Sequence, residues 1–333
     1  MDYYIERLNR NVLNRRTGLA GTANQACKSF RWRNTSSGHI HNKLLSRNHD
    51  RSQEPLLGRI YRGHAVEKYD IAVLIPVLND REGLFRSLSS ISSDSPVAVI
   101  VIDDGSQPRV CLDEVNSSLN PHHRAFLFRH ESNRGIVAAL NRGLAACRNL
   151  NVMFVARLDA GDTCVDDRLD AQASFLETHP DVVLVGGQGE VVDQSGKRRF
   201  FVRLPTEDRP IRKMMHQNSA FIHPAVMIRT RTLWKLSEYY TEEFPWAEDY
   251  ELFFRLLSHG KAANLSNTVV KKYDKDSSIS VRNRRSQLLS RFRLQCRYFN
   301  PTVLRSWTGI FKTLCLLITP TPLVDRYRMS FWR

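Results

Sequence analysis

The feature that most limits the fold is an unbroken apolar run, Ile71-Ala72-Val73-Leu74-Ile75-Pro76-Val77, answered at residue 97 by a second, Val97-Ala98-Val99-Ile100-Val101-Ile102. A strand with one face in water alternates apolar and polar residues; a run without a polar position has both faces covered. Residues 81–91, between the runs, carry a helical pattern. The alternation then continues. Residues 125–128 read as a third strand and 151–156 as a fourth. Residues 135–148 set Val137, Leu140, Leu144 and Cys147 at helical spacing, and 166–178 set Leu169, Ala173 and Leu176 on one helical face. Strand–helix alternation of this kind predicts an α/β fold, a mostly parallel central sheet flanked by helices.

Ligands of such sheets bind beyond the carboxyl ends of the strands. Asp103 and Asp104 fall there after the second strand, Asp159 and Asp162 after the fourth. Neither pair is followed by G-x-G-x-x-G or G-x-x-x-x-G-K-[ST], which argues against a dinucleotide fold or a P-loop. Two acidic clusters at corresponding strand ends point instead to a nucleotide base or ribose and a divalent metal. The six cysteines are scattered without a C-x-x-C pair, against a zinc or redox motif.

Charge is unevenly spread. Residues 1–70 hold 13 Lys and Arg against 6 Asp and Glu, and residues 282–333 hold 11 against 1, leaving 25 against 27 in the middle. A nucleic-acid enzyme concentrates basic charge around its groove. Here the α/β segment is slightly acidic and the ends are basic, so no nucleic-acid partner is expected. The distribution fits a catalytic unit resting on an anionic membrane surface. Three regions are expected: a basic, weakly ordered extension over 1–65, a catalytic domain over 66–281, and a basic helical membrane-associating region over 282–333.

Several segments together resemble family 2 of the inverting glycosyltransferases, which have the GT-A fold, and are most similar to bacterial exopolysaccharide and O-antigen enzymes. They are Ile75-Pro76-Val77-Leu78-Asn79, Val101-Ile102-Asp103-Asp104-Gly105-Ser106, Asn133-Arg134-Gly135 with Ala139, Asn141 and Gly143, and Ala156-Arg157-Leu158-Asp159-Ala160-Gly161-Asp162. Asp167-Arg168-Leu169 with Gln172, His223-Pro224-Ala225-Val226 and Ala247-Glu248-Asp249-Tyr250-Glu251-Leu252 follow in order. The resemblance implies a nucleotide-sugar site built from Pro76, Asn79, Asp103, Asp104, Asn133, Gly135, Asn141, Arg157, Asp159 and Arg285. It implies Asp249 as general base with Glu248 beside it, and Mg²⁺ or Mn²⁺ at Asp159 and Asp162. Gly161 stands where the family's metal motif usually has an acid, which shifts the expected ligand role to Asp162 or Asp159. His223 is expected either to hold acceptor or phosphate, or to serve as a structural hydrogen-bonding histidine. Arg282, Arg284 and Arg285 read as a diphosphate contact or a basic surface patch.

The implied activity is hexose transfer from a UDP-sugar to a saccharide or lipid-linked saccharide at the cytoplasmic face of the membrane. A dTDP-sugar rhamnosyltransferase and a non-catalytic sugar-nucleotide-binding partner are the alternatives. Near the C-terminus, Leu304, Trp307, Phe311, Leu314 and Ile318 recur at helical spacing before Pro320. The stretch is shorter than the ~20 apolar residues a bilayer span needs. A helix lying in the membrane interface is expected, with packing on the catalytic domain as the other reading.

Overall fold

The computed structural model describes residues 68–274 and 283–319. The extension over 1–65, Arg282 and the segment beyond 319 lie outside the described residues. Within them one sheet contains nine strands in the order β3-β2-β1-β4-β8-β6-β9-β5, with β7 on β6. Its first half is parallel. β1 (Ile71–Val77) lies between β2 (Val97–Asp103) and β4 (Phe154–Arg157), and β3 (Arg124–Arg129) extends β2. The register pairs Val77 with Asp103, so the first acidic cluster opens at the carboxyl edge of β1.

Both apolar runs are buried on two faces, as their lack of alternation requires. Ala72 and Leu74 of β1 join a core with Leu140 and Leu144 of α3 (Ile136–Asn149) and Leu252 and Phe253 of α7 (Glu248–Leu257). Ile71, Val73 and Ile75 point the other way, toward Leu84 and Leu88 of α1 (Arg81–Ser89) and Leu169 and Leu176 of α4 (Arg168–Thr178). The short α2 (Leu112–Ser117) lies between β2 and β3.

Beyond β4 the sheet becomes mixed. β8 (Met227–Arg229) runs antiparallel to β4 and to β6 (Val182–Val192), and β7 (Arg198–Val202) runs antiparallel to β6. The long β9 (Lys261–Tyr273) is parallel to β6 and carries β5 (Thr163–Cys164) antiparallel on its far side. This arrangement returns the end of β9 to the carboxyl edge of β4, where Asp159 and Asp162 lie. Helices α5 (Asp208–Met215) and α6 (Thr230–Leu233) complete the central part.

Two helices follow, α8 (Arg284–Arg297) and α9 (Leu304–Ile318), packed against each other. The face that α9 turns inward is small and polar. Ser306 Oγ meets His216 Nδ1 at 2.9 Å, and Thr313 Oγ1 accepts from Arg291 Nε at 3.1 Å. Gly309 lies so close that a Cβ there would meet the His216 carbonyl oxygen at 2.4 Å. The expected apolar stripe faces outward: Leu304, Trp307, Phe311, Leu314 and Ile318 are 42% to 82% exposed. None of the helices among the described residues is long and apolar enough to cross a membrane.

Candidate active site

The first acidic cluster organises backbone. Asp103 is fully buried, and its oxygens accept from the Ser106 and Val110 amides at 2.8 and 3.3 Å and pair with Arg129. Asp103, expected to contact the donor, is thus closed off from solvent, with both carboxylate oxygens engaged within the protein. Asp104 accepts the Arg134 and Gly135 amides at 3.0 and 2.9 Å and pairs with His130 Nδ1 at 2.6 Å. Its carboxylate thereby holds the Asn133-Arg134-Gly135 turn that starts α3. Asn133 lies exposed on this turn, its Oδ1 accepting from the Gly135 amide. Pro76 is buried inside β1, and Asn79 sits at φ 53° just beyond that strand. It ties the β1 and β2 loops together by donating its amide to Ser106 Oγ and accepting from Gln107.

Asn141 is also a tether, since its amide both donates to and accepts from the Tyr240 backbone, at 2.8 and 3.0 Å. Asn141, expected to contact the donor, positions Tyr240 through this pair of bonds. Arg157, also expected at the donor, is likewise engaged within the protein. It is 1% exposed, and its guanidinium donates to the carbonyls of Leu74 and Leu158, to Asp159 Oδ1 at 2.5 Å and to His223 Nε2 at 3.3 Å. Arg285 is exposed on the first turn of α8, and no hydrogen bond or ion pair joins it to this cluster among the described residues.

Asp159 to Asp162 form a tight turn at the end of β4. Gly161 sits at φ 100°, where a side chain is strained, and donates its amide to Ser87 Oγ at 2.9 Å. Ser87 Oγ in turn donates to the Asp162 carbonyl at 2.7 Å. The acid missing from the usual pattern is thus replaced by the residue this backbone favours. Asp162 is buried, with Oδ1 accepting from the Tyr273 amide at 3.3 Å and Oδ2 3.1 Å from Lys272 Nζ. Lys272 also stands 3.9 Å from Asp159 Oδ2. Burial pushes Asp162 up to about 6, with Lys272 opposing and Asp159 adding. Burial pushes Asp159 the same way, but Arg157, Lys272 and His223 outweigh it and hold it at about 2.

Opposite lies the N-terminus of α7. The residue before its cap, Trp246, has φ 66°, rare for a bulky side chain, and Gln287 of α8 holds its carbonyl at 3.2 Å. Glu248 and Asp249 open the helix, both buried. Asp249 Oδ1 accepts from the Tyr250 amide, while Glu248 Oε2 is buried with no hydrogen-bond partner among the described residues. Burial raises both carboxyls, and the Asp249 charge adds to Glu248, taking it to about 8. Tyr240 links the two halves. Its phenol sits 2.8 Å from His223 Nε2 and feels the charges of Arg157, Asp249, Glu248 and Asp159. Burial, with Arg157 adding, lowers His223 to about 3, so it stays neutral and accepts from Arg157. Of its two expected roles the structural one matches this geometry.

A divalent cation does not fit Asp159 and Asp162 as they stand. Mg²⁺ and Mn²⁺ bind through carboxylate oxygens, and each of the four here lies near Arg157, Lys272 or the Tyr273 amide, with Asp162 Oδ2 held by the Lys272 charge at 3.1 Å rather than by a well-formed hydrogen bond. No group of three or more His, Cys, Asp or Glu gathers for a metal among the described residues. The expected ligand pair is instead neutralised by two protein cations. Sequence reasoning missed Lys272, Tyr240 and Ser87. Lys272 sits in a polar strand without a motif, and only the sheet register places it opposite Asp162.

A model of glycosyl transferase family 2 matches residues 72–237. The amylovoran biosynthesis glycosyltransferase AmsE of Erwinia amylovora is 36% identical over 142 residues, 42% of this chain and 51% of that protein. The chain thus aligns with about half the length of that relative. An uncharacterised glycosyltransferase of Haemophilus influenzae is 27% identical over 75% of this chain and 92% of its own length. Among solved structures, S. aureus TarS in complex with UDP-GlcNAc has a TM-score of 0.53 at 18% identity, covering 74% of this chain and 71% of that one. The mannosyltransferase PcManGT of Pyrobaculum calidifontis, in complex with GDP-Man and Mn²⁺, has 0.52 at 17% identity, covering 79% and 74%. These two likenesses establish a shared fold.

Proposed function

The chain belongs to glycosyltransferase family 2, and from that premise we propose that it moves a sugar from a nucleoside-diphosphate donor to a saccharide hydroxyl in one inverting displacement. The observation that carries this reading is the buried pair Glu248–Asp249 facing Tyr240, Arg157 and Asp159 across the carboxyl edge of the sheet. In the step, the acceptor oxygen attacks C1 of the sugar as the C1–O bond to the diphosphate breaks. The hydroxyl proton passes to Asp249, and the nucleoside diphosphate leaves with the electron pair. Burial raises both carboxyls and the Asp249 charge lifts Glu248 further, to about 8, so the coupled pair holding one proton offers one base and one donor. Glu248 Oε2, without a protein partner, is left to the acceptor or the sugar.

A lipid-linked saccharide on an anionic membrane is the acceptor class we favour. Its support is α9, which presents an apolar stripe outward beside Arg305 and Lys312. No step of this reading passes through a metal. The reading is tested by incubating the full-length protein with UDP-, GDP- and dTDP-sugars and measuring nucleoside diphosphate release. Release with at least one donor, lost in Asp249→Asn, is the expected result. Silence with every donor in the presence of membrane lipid overturns it.

A further inference from the structure

We propose that the ammonium of Lys272 takes the place of a divalent cation against the leaving diphosphate, so that donor binding needs no metal. This rests on the sugar-nucleotide reading above and names the group that holds the donor's most charged part.

The backbone fixes the position. β5 pairs with β9 so that Thr163 faces Lys271 and Cys164 faces Val270. One step further along the same ladder, Asp162 comes opposite Lys272, and the Tyr273 amide closes on Asp162 Oδ1. Lys272 is therefore carried by a paired strand of the sheet rather than by a loose loop. Its charge matches the site: Asp159 and Asp162 supply two negative charges, Arg157 and Lys272 two positive ones.

The two cations are not equivalent. Arg157 is 1% exposed, with its guanidinium committed to two carbonyls, Asp159 and His223. The Lys272 side chain keeps 17% exposure at the same carboxylates, and Asp159 beside it keeps 38%. Lys272 is thus the cation of this pair with surface left for a ligand. An ammonium carries three donors on a compact charge, which suits a tetrahedral phosphate oxygen as well as a carboxylate. Gly161 contributes in the same direction. The turn has one acid fewer than the usual metal pattern, and the remaining two bind a protein cation instead.

The test is calorimetric titration of the full-length protein with UDP, GDP and dTDP, in excess chelator and in Mn²⁺. At least one nucleotide should bind wild type in chelator with a Kd within about threefold of its Mn²⁺ value. Lys272→Met should weaken that metal-free binding by about tenfold or more, the scale of a lost charged hydrogen bond. Lys272→Arg, checked by its thermal midpoint, should keep most of the affinity. Mn²⁺ should restore binding in Lys272→Met alone, where two carboxylates lose their ammonium. Wild-type binding that appears only with Mn²⁺ overturns the inference and leaves the donor reading standing. Unchanged metal-free affinity in Lys272→Met makes Lys272 a structural ion pair and overturns it too. A wild type that binds none of the nucleotides in either buffer overturns both.

Discussion

At the residue scale, the motif residues divide into those that face the reaction and those that hold them. Asp103, Asp104 and Arg157 look like ligand contacts in the sequence because they are polar residues at strand ends, and Asn141 because it belongs to the motif carried by α3. The structure turns them inward, onto backbone amides and carbonyls. Arg168 and Gln172 extend the same scaffold. Arg168 donates to the carbonyls of Arg157 and Pro224 at 2.8 Å, and Gln172 to that of Ala225 at 2.8 Å. They clamp the end of β4 to the turn bearing His223. A sequence reveals that such residues belong together, but not which way each faces. The carboxylates of α7 carry the proposed chemistry. Asp249→Asn should lower turnover by at least ~10²-fold with donor affinity nearly unchanged, the scale of losing a general base. Equal turnover in the variant removes Asp249 from that role. The neighbouring pair also sets a pH profile. Rate rises as Asp249 ionises, at a pH above the ordinary aspartate range because burial raises it. Glu248 then holds its proton until about 8, and losing it puts a second negative charge near the departing diphosphate. Rate should therefore fall above about pH 8, and Glu248→Gln should abolish that alkaline limb while keeping the acid one. A limb that persists in Glu248→Gln assigns it to another group.

At the element scale, β1 to β4 with α1, α3 and α4 were legible because each is regular and apolar on the face or faces it buries. β6 and β9 were not. β6 reads Val-Val-Leu-Val-Gly-Gly-Gln-Gly-Glu-Val-Val, and its three glycines resemble a turn. In the sheet those glycines make room for Val269, Ile222 and the Asn264 amide, which cross the strand. β9 is rich in Asn, Thr and Lys, and its register against β6 shifts several times, so no simple period survives. Losing β9 from the reading also lost Lys272. The docking of α9 provides an element-scale test in which two effects oppose. Gly309→Ala would ordinarily favour a helix by up to about 1 kcal/mol. Here the added carbon would meet the His216 carbonyl at 2.4 Å and Gln217 Cα at 2.9 Å, both backbone atoms. Overpacking costs roughly 1–3 kcal/mol, so it should win. Hydrogen exchange across α9 should accelerate in the variant; slower exchange would show that α9 does not pack tightly on residues 216–217.

For the whole molecule, the orientation of α9 bears on where the protein works. A helix docked on a soluble domain buries its apolar stripe and leaves its polar face to water. This one is reversed: Ser306, Gly309 and Thr313 face the protein, while Leu304, Trp307, Phe311 and Ile318 face out. Burying one exposed large apolar side chain contributes roughly 1.5–3 kcal/mol, so an uncovered stripe of this length implies a covering surface. The basic balance of residues 282–333 argues for an anionic bilayer, each nearby cation adding on the order of 1 kcal/mol. The two contributions separate by salt, because charge attraction is screened and apolar burial is not. Full-length protein should co-sediment with anionic liposomes, less so at high salt but still measurably. Trp307→Glu with Phe311→Glu should remove most of the binding at every salt concentration. Donor hydrolysis without membranes should hardly change, and the thermal midpoint should fall only slightly, because Phe311 is mostly exposed while Trp307 gives up its bond to the Pro301 carbonyl at 3.1 Å and its edge contact with Phe299. Equal co-sedimentation of variant and wild type would mean that α9 is covered by something other than lipid, and the acceptor would then be sought among soluble saccharides.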